Sequence, residues 1–371
     1  MENANFEVPS HWNKLNIPLS LDTGLIKEQK NLNYYFGTNA IKMFQRTQFL
    51  RTTFIKRHIS SAPTTLKDTN YITKHFEEIS IPVPWGHLKG KWFGTKNVRP
   101  ILGLHGWQDN AGTYDTLAPL LPNHLGFLSI DLPGHGHSSW LPLGISYHSI
   151  DYVSLLLRVM DYFQWGKISM ICHSMSSING FVFSALFPEK VDMMVGLDVL
   201  KPLARTSEIL IDNYKRSMKS IILHENRIKS SEPPCYDWDE LVERLYNGTN
   251  KSVEREACKF LLERAVRPSK NNPQKYYFAR DSRLKISYFY SFDEDVLLKM
   301  ARNINCPYMF IKALPSPYFE PRQHFDKTLE IMKQNPHFEF YEVEGSHHVH
   351  LNDPNKISPM INTFIHKWRP S

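Results

Sequence analysis

The sequence predicts an α/β protein: a mostly parallel sheet flanked by helices, with a helical lid inserted into it. Two observations carry this prediction. From about Tyr71, apolar runs of strand length alternate with stretches of helical periodicity, which is the pattern of a sheet covered on both sides. Between roughly Lys201 and Asn305 that alternation gives way to charged helical patterns, as expected of an inserted subdomain. Residues 71–200 and 306–371 are therefore assigned to the sheet domain, 201–305 to the lid, and 1–70 to a basic, partly disordered N-terminal segment.

The elements follow in order. His75–Pro82 and Trp85–Phe93 read as a strand pair turned by Pro84 and Gly86. Ile101–Leu104 and Phe127–Ile130 are short buried strands. Tyr152, Leu155, Leu156, Val159 and Phe163 recur at helical spacing, and Lys167–Cys172 is again a strand. Ile178, Phe181, Val182, Ala185 and Leu186 mark a helix closed by Pro188. Val191–Leu197, Tyr308–Lys312 and Phe338–Val343 are further strands. In the insertion, Ile209–Ser220, Trp238–Tyr246 and Val253–Val266 are helical. The last helix has Asp353 placed to cap it, Pro354 in its first turn, and Ile357, Met360, Ile361, Phe364, Ile365 and Trp368 along one face.

Composition limits the functional classes. Of the 371 residues 42% are hydrophobic and 22% charged, enough apolar material for a large core and too little bias for a disordered, collagenous or coiled-coil chain. No apolar run is long enough to span a bilayer. Cys172, Cys235, Cys258 and Cys306 form no CxxC pair, which argues against a disulfide framework or zinc cluster and points to a reducing compartment. The net charge is +7, and the acid-free stretch between Gln29 and Lys67, with seven basic residues, accounts for all of it. Such a distribution is not the basic groove of a nucleic-acid binder. Within it, residues 43–66 are Arg-, Ser- and Thr-rich with interspersed Phe and Leu. They read either as a mitochondrial presequence starting at Met43 or as a solvated arm. The expected location is intracellular, mitochondrial or cytoplasmic.

The chemistry concentrates where a strand ends in Ile171-Cys172-His173-Ser174-Met175-Ser176 and a helix begins at once. A Ser wedged there sits on a sharp turn, its hydroxyl above the sheet, with the next N–H at a helix N-terminus facing an incoming oxyanion. In the G-x-S-x-G elbow small flanking glycines relieve the crowding. Here those positions are Cys172 and Ser176. His105-Gly106-Trp107 follows a strand and offers a second N–H at Trp107. Asp131-Leu132-Pro133-Gly134-His135-Gly136 forms a glycine-rich turn, and Gly345-Ser346-His347-His348-Val349-His350 leaves the last strand before the last helix.

Across about residues 75–368, on HGWQDNAGTY (105–114), DLPGHGHSS (131–139), CHSMSS (172–177), LDVLKP (197–202) and GSHHVHLNDP (345–354), the chain resembles the α/β-hydrolases, in particular the animal serine hydrolase-like proteins of the Kraken type. The resemblance implies Ser174 as nucleophile and His347, seven residues before Pro354, as general base, with Met175 and Trp107 as oxyanion-hole donors. Ser176 and Ser177 are expected to cap the helix, and His105, His173, His348 and His350 to be structural or pocket-lining. The acid usual to such hydrolases would fall at Ser316. Asp198, at the end of the preceding strand, is the first choice for that role and Glu320 the alternative.

The expected function is hydrolysis of a small carboxylic ester or thioester through an acyl-enzyme. The lid aromatics Tyr276, Tyr277, Phe278, Tyr288, Phe289 and Tyr290 form either an apolar acyl pocket or the lid's own core. No cofactor is expected, and no metal, since no carboxylate or Cys stands at helical ligand spacing to the His cluster. No nucleic-acid partner and no transmembrane segment are expected. The missing elbow glycines and displaced acid motivate a second reading, a catalytically silent hydrolase fold serving as a binding or scaffold protein.

Overall fold

The computed structural model describes residues 75–228, 233–286 and 292–371. The basic N-terminal segment, with its 43–66 stretch, and the aromatics Tyr288, Phe289 and Tyr290 lie outside the described residues. Strands β1 (Phe76–Val83) and β2 (Gly86–Phe93) form an antiparallel pair. β3 (Ile101–Leu104), β4 (Phe127–Ile130), β5 (Ile168–His173), β6 (Val191–Leu197), β9 (Tyr308–Pro315) and β10 (Phe338–Gly345) run parallel to one another. The sheet order is β1-β2-β4-β3-β5-β6-β9-β10. The chain passes from β3 to β4 on one side and then to β5 on the other. That reversal places the crevice at the carboxyl ends of β3 and β5, where open α/β sheets bind ligands.

Strand alternation divides the core between the two faces. Leu102, Leu104, Met170 and Cys172 join the cluster beneath helices α1 (Ser149–Phe163) and α2 (Met175–Leu186). Ile101 and Ile171 face the other way, into the cluster sealed by the C-terminal helix. That helix starts later than its sequence suggests. A short helix at Val349–Asn352 and a 3-10 turn at Pro354–Lys356 precede it, it runs Ser358–Trp368, and the Asp353 side chain caps neither turn nor helix. Pro354 suits a first turn, but Pro359 would fall in the interior of a helix begun there, where its missing N–H breaks the ladder, so the helix starts afresh with Pro359 in its own first turn.

The 201–305 stretch holds α3 (Ser207–Ile228), α4 (Trp238–Gly248) and α5 (Cys258–Ala265), followed by a small antiparallel hairpin of β7 (Val266–Pro268) and β8 (Tyr276–Phe278). The single helix expected over Val253–Val266 is instead a 3-10 turn, Arg255–Ala257, leading into α5. The hairpin was absent from the sequence reading because three-residue strands leave no periodicity to detect. Tyr276 and Phe278 pack with Leu241, Leu245, Phe260 and Leu262 in the insertion's own core. At the end of the stretch, α6 (Glu294–Asn303) packs on α2 and on α7 (Arg322–Met332), so it belongs to the helical layer of the sheet.

One buried ion pair fastens the insertion to the sheet. Arg264 of α5 donates to both oxygens of Asp131, the residue just past β4, and also pairs with Glu78 on β1. Asp131 is fully buried and further accepts from the Ala111 and His137 amides. Burial alone would raise its pKa, but the Arg264 charge and these donors hold it below the ordinary carboxylate value. Gly136 is needed here, since a Cβ at its φ of +51° would stand 2.3 Å from the Asp131 carboxyl. Replacing Arg264 by Ala leaves that charge unpaired in the interior. The loss expected is about 3–5 kcal/mol, read as a lowered urea midpoint with unchanged far-UV dichroism; a midpoint within error of wild type would show the pair to be dispensable.

Candidate active site

Each parallel strand delivers a polar residue at its carboxyl end. Ser174 follows β5, Asp198 follows β6, Ser316 follows β9, and His347 lies two residues beyond β10. Ser174 takes φ 54° and ψ −114°, a conformation that L-residues resist and that costs on the order of 1–3 kcal/mol. Its amide donates to Leu197 O at 3.0 Å, and its carbonyl accepts from Ile178 N, the first turn of α2. Strand on one side and helix on the other hold the turn, leaving the side chain partly exposed.

The hydroxyl of Ser174 lies 2.8 Å from His347 Nε2, and His347 Nδ1 lies 2.5 Å from Asp198 Oδ2. With Nδ1–H donated to the carboxylate, Nε2 carries the lone pair that accepts the Ser174 proton. Asp198 also has positive φ, 66°, and its amide is fixed to Ile311 O. Its carboxylate accepts from Lys312 Nζ, the Ala313 amide and Ser316 Oγ. Burial would raise its pKa; the His347 hydrogen bond and the Lys312 ammonium outweigh burial, so the group is held ionised below its usual value.

Glu320 lies apart from this line. Both its oxygens are 2.7 Å from Lys201 Nζ, and it accepts from Ala204 N. Ser316 donates to the carboxylate that reaches the His from β6. Lys312 was missed by sequence reasoning, although a Lys in the apolar strand run Tyr308–Ala313 was a signal, because a buried ammonium needs an anion nearby.

Met175 is the first residue of α2 and is buried. Trp107 lies in the loop after β3, with its indole Nε1 donating to Leu284 O of the insertion at 2.7 Å. Ser176 does not cap α2: its hydroxyl donates to His105 O, tying the elbow to the Trp107 loop. His105 donates Nδ1–H to Gly106 O and accepts the Leu132 amide at Nε2, while His135 accepts the Gln108 amide. Both rings are buried and edge-to-face, 4.8 Å apart. A glycine stands opposite Cys172, the first of the two flanking positions, and another opposite Ser177, one residue past the second. A Cβ at Gly180 of α2 would lie 2.3 Å from Met194 Cε and 3.2 Å from Cys172 Sγ, and one at Gly196 of β6 would lie 2.6 Å from Ser177 Oγ.

Comparison with known proteins places the chain among hydrolases of this fold. A family model described as alpha/beta hydrolase fold matches residues 99–244. A Drosophila melanogaster protein named "Probable serine hydrolase" is 36% identical over 294 residues, 78% of this chain and 88% of the relative. A Danio rerio "Serine hydrolase-like protein" is 34% identical, over 81% of this chain and 92% of the relative. Among solved structures, a hypothetical protein from Pseudomonas aeruginosa PAO1 has a TM-score of 0.67 at 27% identity, covering 78% of this chain and 98% of its own. The thioesterase domain from the curacin biosynthetic pathway has a TM-score of 0.64 at 17% identity, covering 78% of this chain and 99% of its own, and shares the fold.

The buried ring pair makes stability pH-dependent. Burial lowers the pKa of His105 and pushes that of His135 down to about 3. A depressed histidine pKa contributes stability that is complete above the unfolded value of about 6.5 and lost as pH falls toward the folded value. For His135 the loss reaches about 2 kcal/mol by about pH 5. Urea midpoints are therefore expected to be level above about pH 7 and to fall steadily below about pH 6. The slope should lessen in His135→Asn; a midpoint independent of pH over this range would show that the rings take up protons alike in the native and unfolded states.

Proposed function

This chain belongs to the serine hydrolase-like family of α/β-hydrolase fold proteins, and on that premise we propose that it cleaves carboxylic esters or thioesters through an acyl-enzyme on Ser174. The reading is supported above all by the continuous hydrogen-bonded line from Ser174 Oγ through His347 to Asp198. His347 Nε2 takes the Ser174 proton as Oγ attacks the acyl carbon. The backbone N–H groups of Met175 and Trp107 receive the oxyanion, and His347 then protonates the leaving alkoxide or thiolate. In the second half, His347 removes a proton from water, hydroxide attacks the acyl-enzyme, and the acid leaves with Ser174 Oγ reprotonated. Asp198 fixes the His347 tautomer and stabilises the imidazolium; it does not itself take a proton. Both halves need only water and these groups.

Several features support this assignment. Strain at Ser174 is tolerated where a nucleophile must stand clear of the sheet. Glu320 is committed to Lys201. A Ser in place of an Asp nucleophile disfavours epoxide and haloalkane hydrolysis.

Two measurements test the proposal. A fluorophosphonate probe should label the wild-type protein and leave Ser174→Ala unlabelled; an unlabelled wild type would return the protein to the silent, binding-only reading. On a panel of short- and long-chain p-nitrophenyl esters and acyl-CoAs, Asp198→Asn should lower kcat by about 10³–10⁴-fold with folding intact. Glu320→Gln should retain near-normal turnover. The reverse pattern would move the acid to Glu320.

A further inference from the structure

Directly behind the Ser–His line lies a second, buried cluster that the proposed reaction does not use. Asp109, His173 and His348 are each almost fully buried, and one donor atom from each converges on a common space. His173 Nδ1 is 3.4 Å and His348 Nε2 is 3.3 Å from the same oxygen, Asp109 Oδ2. The other nitrogen of each ring fixes its tautomer. His173 Nε2 lies 2.9 Å from His347 O, a carbonyl that can only accept, so that nitrogen carries the hydrogen. His348 Nδ1 lies 2.9 Å from Ser252 Oγ, whose own proton goes to Thr249 O at 2.7 Å, so Nδ1 is again the donor. The inward-facing nitrogens therefore each present a lone pair toward a carboxylate oxygen.

Three electron-rich atoms facing one another in the interior repel unless a cation sits among them. A single proton is a poor occupant. It lies on the line between one nitrogen and the oxygen and leaves the second nitrogen unsatisfied; His173 Nδ1 has no hydrogen-bond partner among the described residues. The separations of 3.3 and 3.4 Å are also long for a charge-assisted bond, which closes to about 2.7–2.9 Å. Two of the three separations match the edge of a tetrahedron whose metal–ligand bonds are about 2.0–2.1 Å, roughly 3.3–3.4 Å, and all three donor atoms lie within 4.8 Å of one another. The outward hydrogen bonds to a backbone carbonyl and a hydroxyl are the supports that orient metal-ligating histidines. Gly106 keeps the space open: a Cβ there would stand 2.9 Å from His173 Nδ1 and 3.2 Å from Asp109 Oδ2.

We propose that Asp109, His173 and His348 bind a divalent cation of the zinc class, clamping together the three loops that carry Trp107, Ser174 and His347. Each ligand is one or two residues from one of those positions. Selection rests on the imidazole donors, which favour Zn²⁺ and Co²⁺ over Mg²⁺ and Ca²⁺. Three protein ligands leave a fourth position to water. The three ligands come from the loop after β3, the end of β5 and the loop after β10, so no spacing along one helix announces them.

The test uses tag-free full-length protein stripped with a chelator and dialysed against Zn²⁺, then against Mg²⁺ or Ca²⁺. Wild type should retain one equivalent of zinc by mass spectrometry, melt at higher temperature with zinc than without, and give the visible absorption of tetrahedral Co²⁺. Mg²⁺ and Ca²⁺ should do neither. Asp109→Asn and His348→Gln should lose retention. Ser252→Ala, which removes the acceptor of His348 Nδ1–H and the hydroxyl bond to Thr249 O but no ligand, should bind zinc about 10–100-fold more weakly with the fold intact. Wild type retaining no zinc would overturn the proposal and leave the cluster to a proton. Unchanged retention in Ser252→Ala, or in either ligand variant where it folds, would place the ion elsewhere and overturn it equally.

Discussion

A carboxylate cut off from water is tolerable only when donors meet its charge, and the donors that meet Asp198 come from separate parts of the chain. Lys312 and Ala313 lie on β9, Ser316 in the loop after it, and His347 in the loop after β10. Satisfying one buried anion thus fixes where three segments end. Such an ion pair adds little net stability over an apolar substitute. Its value is positional: once Lys312 and Ser316 hold the carboxylate, only one orientation of the His347 ring is compatible with its hydrogen bond, and that orientation points Nε2 at Ser174.

The insertion is placed by the same economy. Asp131, buried at the end of β4, draws Arg264 of α5 onto the sheet, and Asn110 reaches Leu261 O from the loop that also carries Trp107. Motifs that look glycine-rich in the sequence are thus docking surfaces in the fold. Gly112 shows this directly, since a Cβ there would lie 2.1 Å from Phe260 O of α5.

Much of the sheet domain was legible because its signals are local. Ile101–Leu104, Phe127–Ile130 and Val191–Leu197 are short apolar runs between turns, and the structure ends them at the same residues. Ser174, His347 and Asp198 were legible because each follows a strand in a recognisable turn. What escaped notice depends on partners far away in sequence. Lys312 makes sense only beside Asp198, 114 residues earlier. Asp109 and His348 meet across 239 residues, which no spacing rule reports. Asp353 has the right residue type for a cap, but Pro359 restarts the helix at Ser358, beyond its reach.

The elbow carries a wider consequence. The motif usually written with glycines beside the nucleophile has none here, yet the backbone still makes the turn. Gly180 leaves room for Cys172 from across the packing surface, and Gly196 does the same for Ser177 at the start of the helix. What the fold demands is a small volume between one strand and one helix, and either wall can provide it. A search that matches only neighbours in the chain will therefore pass over nucleophiles whose clearance is donated from the opposite side.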